Sequence, residues 1–179
     1  EGWFAMNSAN GMIFKIPGKA AAGEGDAASE DRLPIRGLGA NVEVHFSPAG
    51  AVPGDRIVGI MQGDKGITIY PIQASSLQKF DDEPERWIDV RWDLDEANKS
   101  RFVARILINA INEPGTLATV AQTIARLDIN IRTLFMVRVA TDFTEMAIDV
   151  EVWDLRQLNQ LLVEVKELDC ISTVKRVYD

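Results

Sequence analysis

The chain has 179 residues, 46% of them hydrophobic, and a net charge of −8. That length holds one sizeable domain or two small ones. The acidic balance, with a pI near 4.7, excludes general nucleic-acid binding, which favours a basic surface. The charge is uneven: residues 101–179 hold 9 basic and 11 acidic residues, a net of −2, so a local basic contact stays open there. One cysteine, Cys170, excludes an internal disulfide and a cysteine-cluster zinc site, and reads as an inert buried thiol. No run is long and apolar enough to cross a bilayer and no signal peptide is visible, so no membrane partner is expected and the cytoplasm is the default location. The chain starts at Glu1 without Met and reads as a piece of a longer protein.

Residues 1–18 carry Trp3, Phe4, Met12, Ile13, Phe14 and Ile16, and form either a hairpin around residues 8–11 or the frayed end of a truncated element. Residues 19–32, KAAAGEGDAASEDR, hold no large apolar group and cannot offset their ordering entropy, so 1–32 is expected to be a remnant plus flexible linker. Residues 33–93 read as a small β-rich module. Val42, Val44 and Phe46 alternate as a strand, PAGAVPG is turn-rich, DRIVGIM and GITIY pair as a hairpin, residues 75–80 make a helical turn, and WIDVRW alternates as one more strand. Residues 94–101 are a charged linker.

The stretch 109–117, NAINEPGTL, organises the rest. Before it, Phe102, Ala104, Ile106, Ile108 and Ala110 fall on every second residue, as in a strand with one buried face. After it, Leu117, Val120, Ala121, Ile124 and Leu127 fall at helical spacing. Pro114 suits a first helical position, and Gly115 lets backbone or ligand come close. The free N–H groups of the helix start can receive a carboxylate. NIRTLFMVRV then reads as a strand with Ile131, Thr133, Phe135, Val137 and Val139 on one side and Leu134 and Met136 on the other, so its outer face meets a neighbour, most simply a second copy. Met146 to Val152 alternate as a third strand; Asp154 and Gln157 make a capping box for an amphipathic helix; ISTVKRVY closes as a fourth strand. Strand, helix, strand, strand, helix, strand over residues 102–179 is the ferredoxin-like βαββαβ order, so the chain is α+β.

Two segments resemble known families. PGDRIVG followed by KGITIY resembles the zinc-finger-like module near the C-terminus of RelA/SpoT-type (p)ppGpp synthetase/hydrolases. That family's metal-binding Cys and His positions fall here at Pro48, Ala49, Tyr70 or Pro71, and Ala74, none of which binds zinc through thiolate or imidazole. His45, the only histidine, reads as structural, and neither metal nor cofactor is expected. NEPGTLATVAQTIARLDINI resembles the start of an ACT domain, a module that usually binds an amino acid, and WIDVRWD also resembles the RelA/SpoT family.

The resemblance implies a ligand between the turn Asn112, Glu113, Pro114, Gly115, Thr116 and Leu117 and the strand start Ile129, Asn130 and Ile131, often from another copy of the domain. Backbone N–H groups of residues 115–117 would take the carboxylate and the amide oxygens of Asn112 and Asn130 the ammonium, with Ala110, Leu117, Ile129 and Ile131 as an apolar wall. A branched-chain amino acid, valine first, fits such a wall. The plain structural alternatives are Asn112 as a helix cap, Asn130 in a turn, and Pro114-Gly115 as a tight turn. Asp142, Glu145, Asp149 and Glu151 gather on the third strand, but a solvated face is expected rather than an acid/base pair; no catalytic residue is assigned and the chain is read as non-enzymatic. The implied parent makes and hydrolyses (p)ppGpp with catalytic domains upstream, its balance tuned by the ligand. The alternative is a ribosome or tRNA docking module using Arg132, Arg138, Lys175 and Arg176.

Overall fold

The computed structural model describes residues 5–6, 12–13, 35–36, 42–97 and 99–178. Strand β1 (Ala5–Met6) pairs antiparallel with β2 (Met12–Ile13), the hairpin alternative. The expected linker at 19–32 lies outside the described residues. The short β3 (Ile35–Arg36) follows.

In the first module β4 (Val44–Phe46), β5 (Ile57–Met61), β6 (Ile67–Pro71) and β7 (Trp87–Ile88) form a sheet in the order β4-β6-β5-β7. The hairpin β5–β6 turns through a 3-10 segment at Gly63–Lys65, as the sequence predicts; β4 lies parallel to β6. A second 3-10 segment spans Ser75–Phe80. The strand expected over WIDVRW is two: β7 pairs with β5, and β8 (Arg91–Trp92) pairs with β3. The chain changes sheets there, with Val90 buried between. The expected linker contains a helical turn, α1 (Leu94–Ala97), whose Ala97 is fully buried.

The second module has four strands, β9 (Phe102–Ile111), β10 (Asn130–Val139), β11 (Phe143–Val152) and β12 (Ile171–Val177), in the antiparallel order β10-β11-β9-β12. Helices α2 (Thr116–Arg126) and α3 (Leu155–Lys166) cover one face. The alternating residues of β9, with Met146, Ile148, Val150 and Val152 of β11, meet Val120, Ile124, Leu158, Leu161 and Val165 in one core. Asp154 caps α3 by accepting from the Gln157 N–H at 2.8 Å. Gln157 Oε1 accepts in return from the Trp153 N–H, one residue earlier than a capping box requires.

The side assignment expected for β10 needs correction. Its pairing with β11 carries irregularities between Ile131 and Thr133 and between Met136 and Arg138. Each extra residue reverses the alternation. Ile131 and Leu134 therefore pack on the helix-side core, opposite Val150 and Ile148. Thr133 and Phe135 take the register of Asp149 and Ala147 on the outer face. Phe135, Met136, Val137 and Val139 stay 47%, 49%, 56% and 63% exposed, so this edge strand is apolar and open.

The two modules interlock. Val52 is fully buried in the core of the second, and Tyr178 packs into a core cluster of the first. Asp55 and Arg176 form a buried pair: Oδ2 accepts from Nη2 at 2.6 Å and Oδ1 from Nη1 at 2.7 Å. Asp55 Oδ2 also accepts from the Val52 N–H at 2.8 Å, and Arg176 Nη2 donates to the Gly50 carbonyl at 2.7 Å. The side chains are 6% (Arg176) and 2% (Asp55) exposed. The Pro53 carbonyl accepts from the Leu155 N–H at 2.8 Å. Gly54, at φ +102°, lies where a Cβ would come within 2.9 Å of the Leu155 Cβ. The Pro-Gly-Asp segment is thus the piece of the first module that seats on α3 and β12.

Removing one partner of a buried pair strands a charge, while replacing both by apolar groups is often tolerated. Arg176→Met is expected to lower stability by about 3–5 kcal/mol in urea unfolding. Arg176→Met with Asp55→Leu should recover most of that loss; a single variant as stable as the parent chain would contradict the assignment.

Candidate functional site

The turn after β9 is built by nonlocal clamps. The Asn112 N–H donates to the Asp142 carbonyl at 3.1 Å, and its Nδ2 donates to the Ala140 carbonyl at 2.7 Å. Asn112 therefore ties the turn to the β10–β11 connection and does not cap α2. Its amide oxygen has no donor among the described residues. No local spacing could reveal this contact, since 28 residues separate its ends.

Helix α2 begins at Thr116, with Gly115 as its N-cap at φ +90°, ψ −13°. Pro114 is thus in the turn and not at the first helical position. Thr116 is buried: its Oγ1 donates to the Ile111 carbonyl at 3.0 Å and its N–H to the Glu113 carbonyl at 3.3 Å. Thr119 returns both its N–H and its Oγ1 to the Gly115 carbonyl. The N–H groups of Gly115, Leu117 and Ala118 have no acceptor among the described residues. No described residue lies within 4 Å of where a Gly115 Cβ would stand, so the space beside the helix start is open there. A positive helix end with three free donors can receive a carboxylate, and an unused amide oxygen in the same turn can accept from an ammonium.

The second half of the expected site lies elsewhere. Asn130 pairs with Glu151, which pairs with Val103 near the start of β9; the turn follows the far end of that strand. Ten residues of strand put the two about 30 Å apart within one chain. Asn130 Nδ2 donates to Glu151 Oε2 at 3.0 Å, leaving the amide oxygen as its acceptor. A shallow cavity of about 480 Å³ opens beside it, lined by Arg101, Asp128, Ile129, Asn130 and Glu151 among others. Of the expected apolar wall, Ala110 and Ile129 are spent on the chain's own core and Ile131 is partly so, whereas Leu117 is 39% exposed; Ile111, which the sequence did not single out for the wall, is 38% exposed.

The carboxylates on β11 are not a uniformly solvated face. Asp149 is buried and accepts from Arg105 Nε at 2.6 Å and Nη2 at 2.9 Å. The Asp149 hydrogen bond holds the Arg105 guanidinium above its ordinary pKa, against the opposing effect of burial. Arg176 is buried on Asp55 and cannot serve as an RNA contact, while Arg132, Arg138 and Lys175 remain exposed. Among the described residues no three His, Cys, Asp or Glu side chains converge as a metal site, and no helix is long and apolar enough to cross a membrane.

Residues 33–93 match the RelA/SpoT RIS domain model and residues 98–176 the ACT domain model. The chain is 55% identical over 185 residues to the GTP pyrophosphokinase rsh of Brucella ovis, covering 99% of this chain and 25% of that protein. It is 27% identical over 106 residues to the bifunctional (p)ppGpp synthase/hydrolase SpoT of Escherichia coli, covering 59% of this chain and 15% of that one. The crystal structure of the ACT domain from the GTP pyrophosphokinase of Chlorobium tepidum matches at 22% identity and a TM-score of 0.40, over 44% of this chain and 100% of that one. The chain spans about a quarter of the length of the Brucella relatives.

Because Gly115 is left-handed with free space around it, a side chain there meets only backbone strain. Gly115→Ala is expected to lower stability by about 1–2 kcal/mol in urea unfolding. Gly115→Asn should lose less, because Asn tolerates this conformation; equal losses would contradict the backbone origin.

Proposed function

The chain belongs to the RelA/SpoT family as a C-terminal regulatory region, a RIS domain followed by an ACT domain, and from that premise we propose that the ACT domain senses a free aliphatic amino acid. The observation that carries this reading is the α2 tip: three N–H groups without acceptors among the described residues, open space over Gly115, and, in the same turn, the Asn112 amide oxygen left without a donor among those residues. The carboxylate sits on the N–H groups, the ammonium on Asn112, and the side chain against Leu117 and Ile111. This wall suits valine or another branched-chain residue better than a polar one.

The distance between the turn and Asn130 supports a site completed by a second copy. Strand β10 is a sheet edge with four exposed apolar side chains. Antiparallel pairing of two β10 strands about a two-fold axis sets the start of one beside the end of the other. The end of β10 leads into Ala140, whose carbonyl holds Asn112. The partner's strand start therefore arrives at the turn it cannot reach within its own chain. Ligand then favours the paired state. In a parent enzyme with catalytic domains outside this chain, pairing shifts the balance between (p)ppGpp synthesis and hydrolysis by as much as the ligand prefers one state.

Isothermal titration of this chain with valine tests the reading. Heat is expected at millimolar ligand, with at least about tenfold weaker binding in Asn112→Ala, which loses a charge-assisted hydrogen bond. Gly115→Asn, which fills the open space without forbidding the backbone, should weaken it similarly. No heat with any aliphatic amino acid, together with salt-dependent binding to ribosomes, would replace the sensor by a docking module using Arg132, Arg138 and Lys175.

A further inference from the structure

A groove of about 530 Å³ runs between the two modules, away from the α2 tip. Phe46 and Ser47 line it from the RIS side, and Arg101, Val103, Arg105 and Arg132 from the ACT side. Three of its features point to a ligand. The Phe46 ring stacks on Trp92 at 6.0 Å and 18°, meets Phe102 edge-on at 5.8 Å, and is still 37% exposed. It ends an aromatic stack and lines the groove with part of its surface still exposed. Ser47 is only 5% exposed, and its hydroxyl is buried with no hydrogen-bond partner among the described residues. Such a group is rarely left unsatisfied in the occupied state of a site. Arg132 sits at the irregularity between Ile131 and Thr133, exposed and without a partner among the described residues.

The charges around the groove set the ligand's size. Arg105 is spent on Asp149 through Nε and Nη2, and Arg101 on the Asp128 carbonyl and carboxylate. That leaves Arg132 as the unmatched cation, enough for one phosphate and too little for a chain of them. We propose that this groove binds a mononucleotide: the phosphate on Arg132, the base stacked on Phe46, and, once its side chain turns into the groove, Ser47 Oγ on a hydroxyl or ring nitrogen. Base-on-aromatic stacking tolerates any base, so the site selects for a nucleoside monophosphate rather than for one base. Its walls come from both modules, so an occupant bridges them.

The test is a titration of the isotope-labelled 179-residue chain with GMP and with AMP, followed by amide NMR shifts. Guanosine and inorganic phosphate serve as part-ligands. Both nucleotides are expected to move the amides of Phe46, Ser47, Val103 and Arg132. Each part-ligand should bind at least about tenfold more weakly, since each lacks either the stack or the ion pair. Arg132→Glu, an exposed change that leaves the core alone, should weaken GMP at least about tenfold and leave guanosine unchanged. No shift at these four amides with millimolar nucleotide overturns the proposal. So does inorganic phosphate binding as well as GMP, which would make the groove a plain anion site. Valine is not needed in either arm, so the outcome is independent of the amino-acid site.

Discussion

The structure depends on one buried ion pair. Asp55 and Arg176 lie 121 residues apart in sequence and meet with almost no exposure to solvent. Such a pair is expensive to desolvate, and its worth lies in geometry. Of its further contacts, the one to the Gly50 carbonyl adds a second tie between the loop and β12, the Val52 N–H closes the loop on Asp55, and the Tyr178 ring lies 4.4 Å from the guanidinium. With that loop in place Val52 completes the ACT core, and Tyr178 completes a core of the RIS module. A module of some 60 residues has little core of its own, and this one borrows from its neighbour. The RIS and ACT domains are therefore joined through buried contacts rather than through a bare tether.

Local periodicity made most of the ACT fold legible. Strand β9 alternates strictly because one face is core and the other is not, and helix α3 shows its cap and its apolar stripe in the sequence. Strand β10 was legible in extent and misleading in orientation, because its two irregularities leave no mark in an apolar run. The RIS hairpin was legible from its turn, whereas the switch of sheets between Ile88 and Arg91 was not, since it is decided by β3, far back in the chain. The interlock was invisible for the same reason. Asp55 looked like the first residue of a strand and Arg176 like a candidate RNA contact until the fold brought them together.

The turn illustrates the same division. Its glycine and its position before a helix were evident, and the free N–H groups follow from both. The role of Asn112 was not, because its partner Ala140 belongs to a connection reached only through the sheet. Nor could spacing reveal that residues 112–117 and 129–131 sit at opposite ends of β9. A site whose halves are that far apart in one chain is either two unrelated corners or one interface between copies. The apolar, unpaired edge of β10 is what makes the second reading the economical one.

On the proposed reading, a free aliphatic amino acid joins those two corners across a pair of chains. Amide NMR shifts on adding valine, recorded at several protein concentrations, address it most directly. Residues 112–117 and 129–131 should shift together, with one apparent affinity that tightens as protein concentration rises. Shifts confined to one corner, or an affinity indifferent to protein concentration, would contradict it.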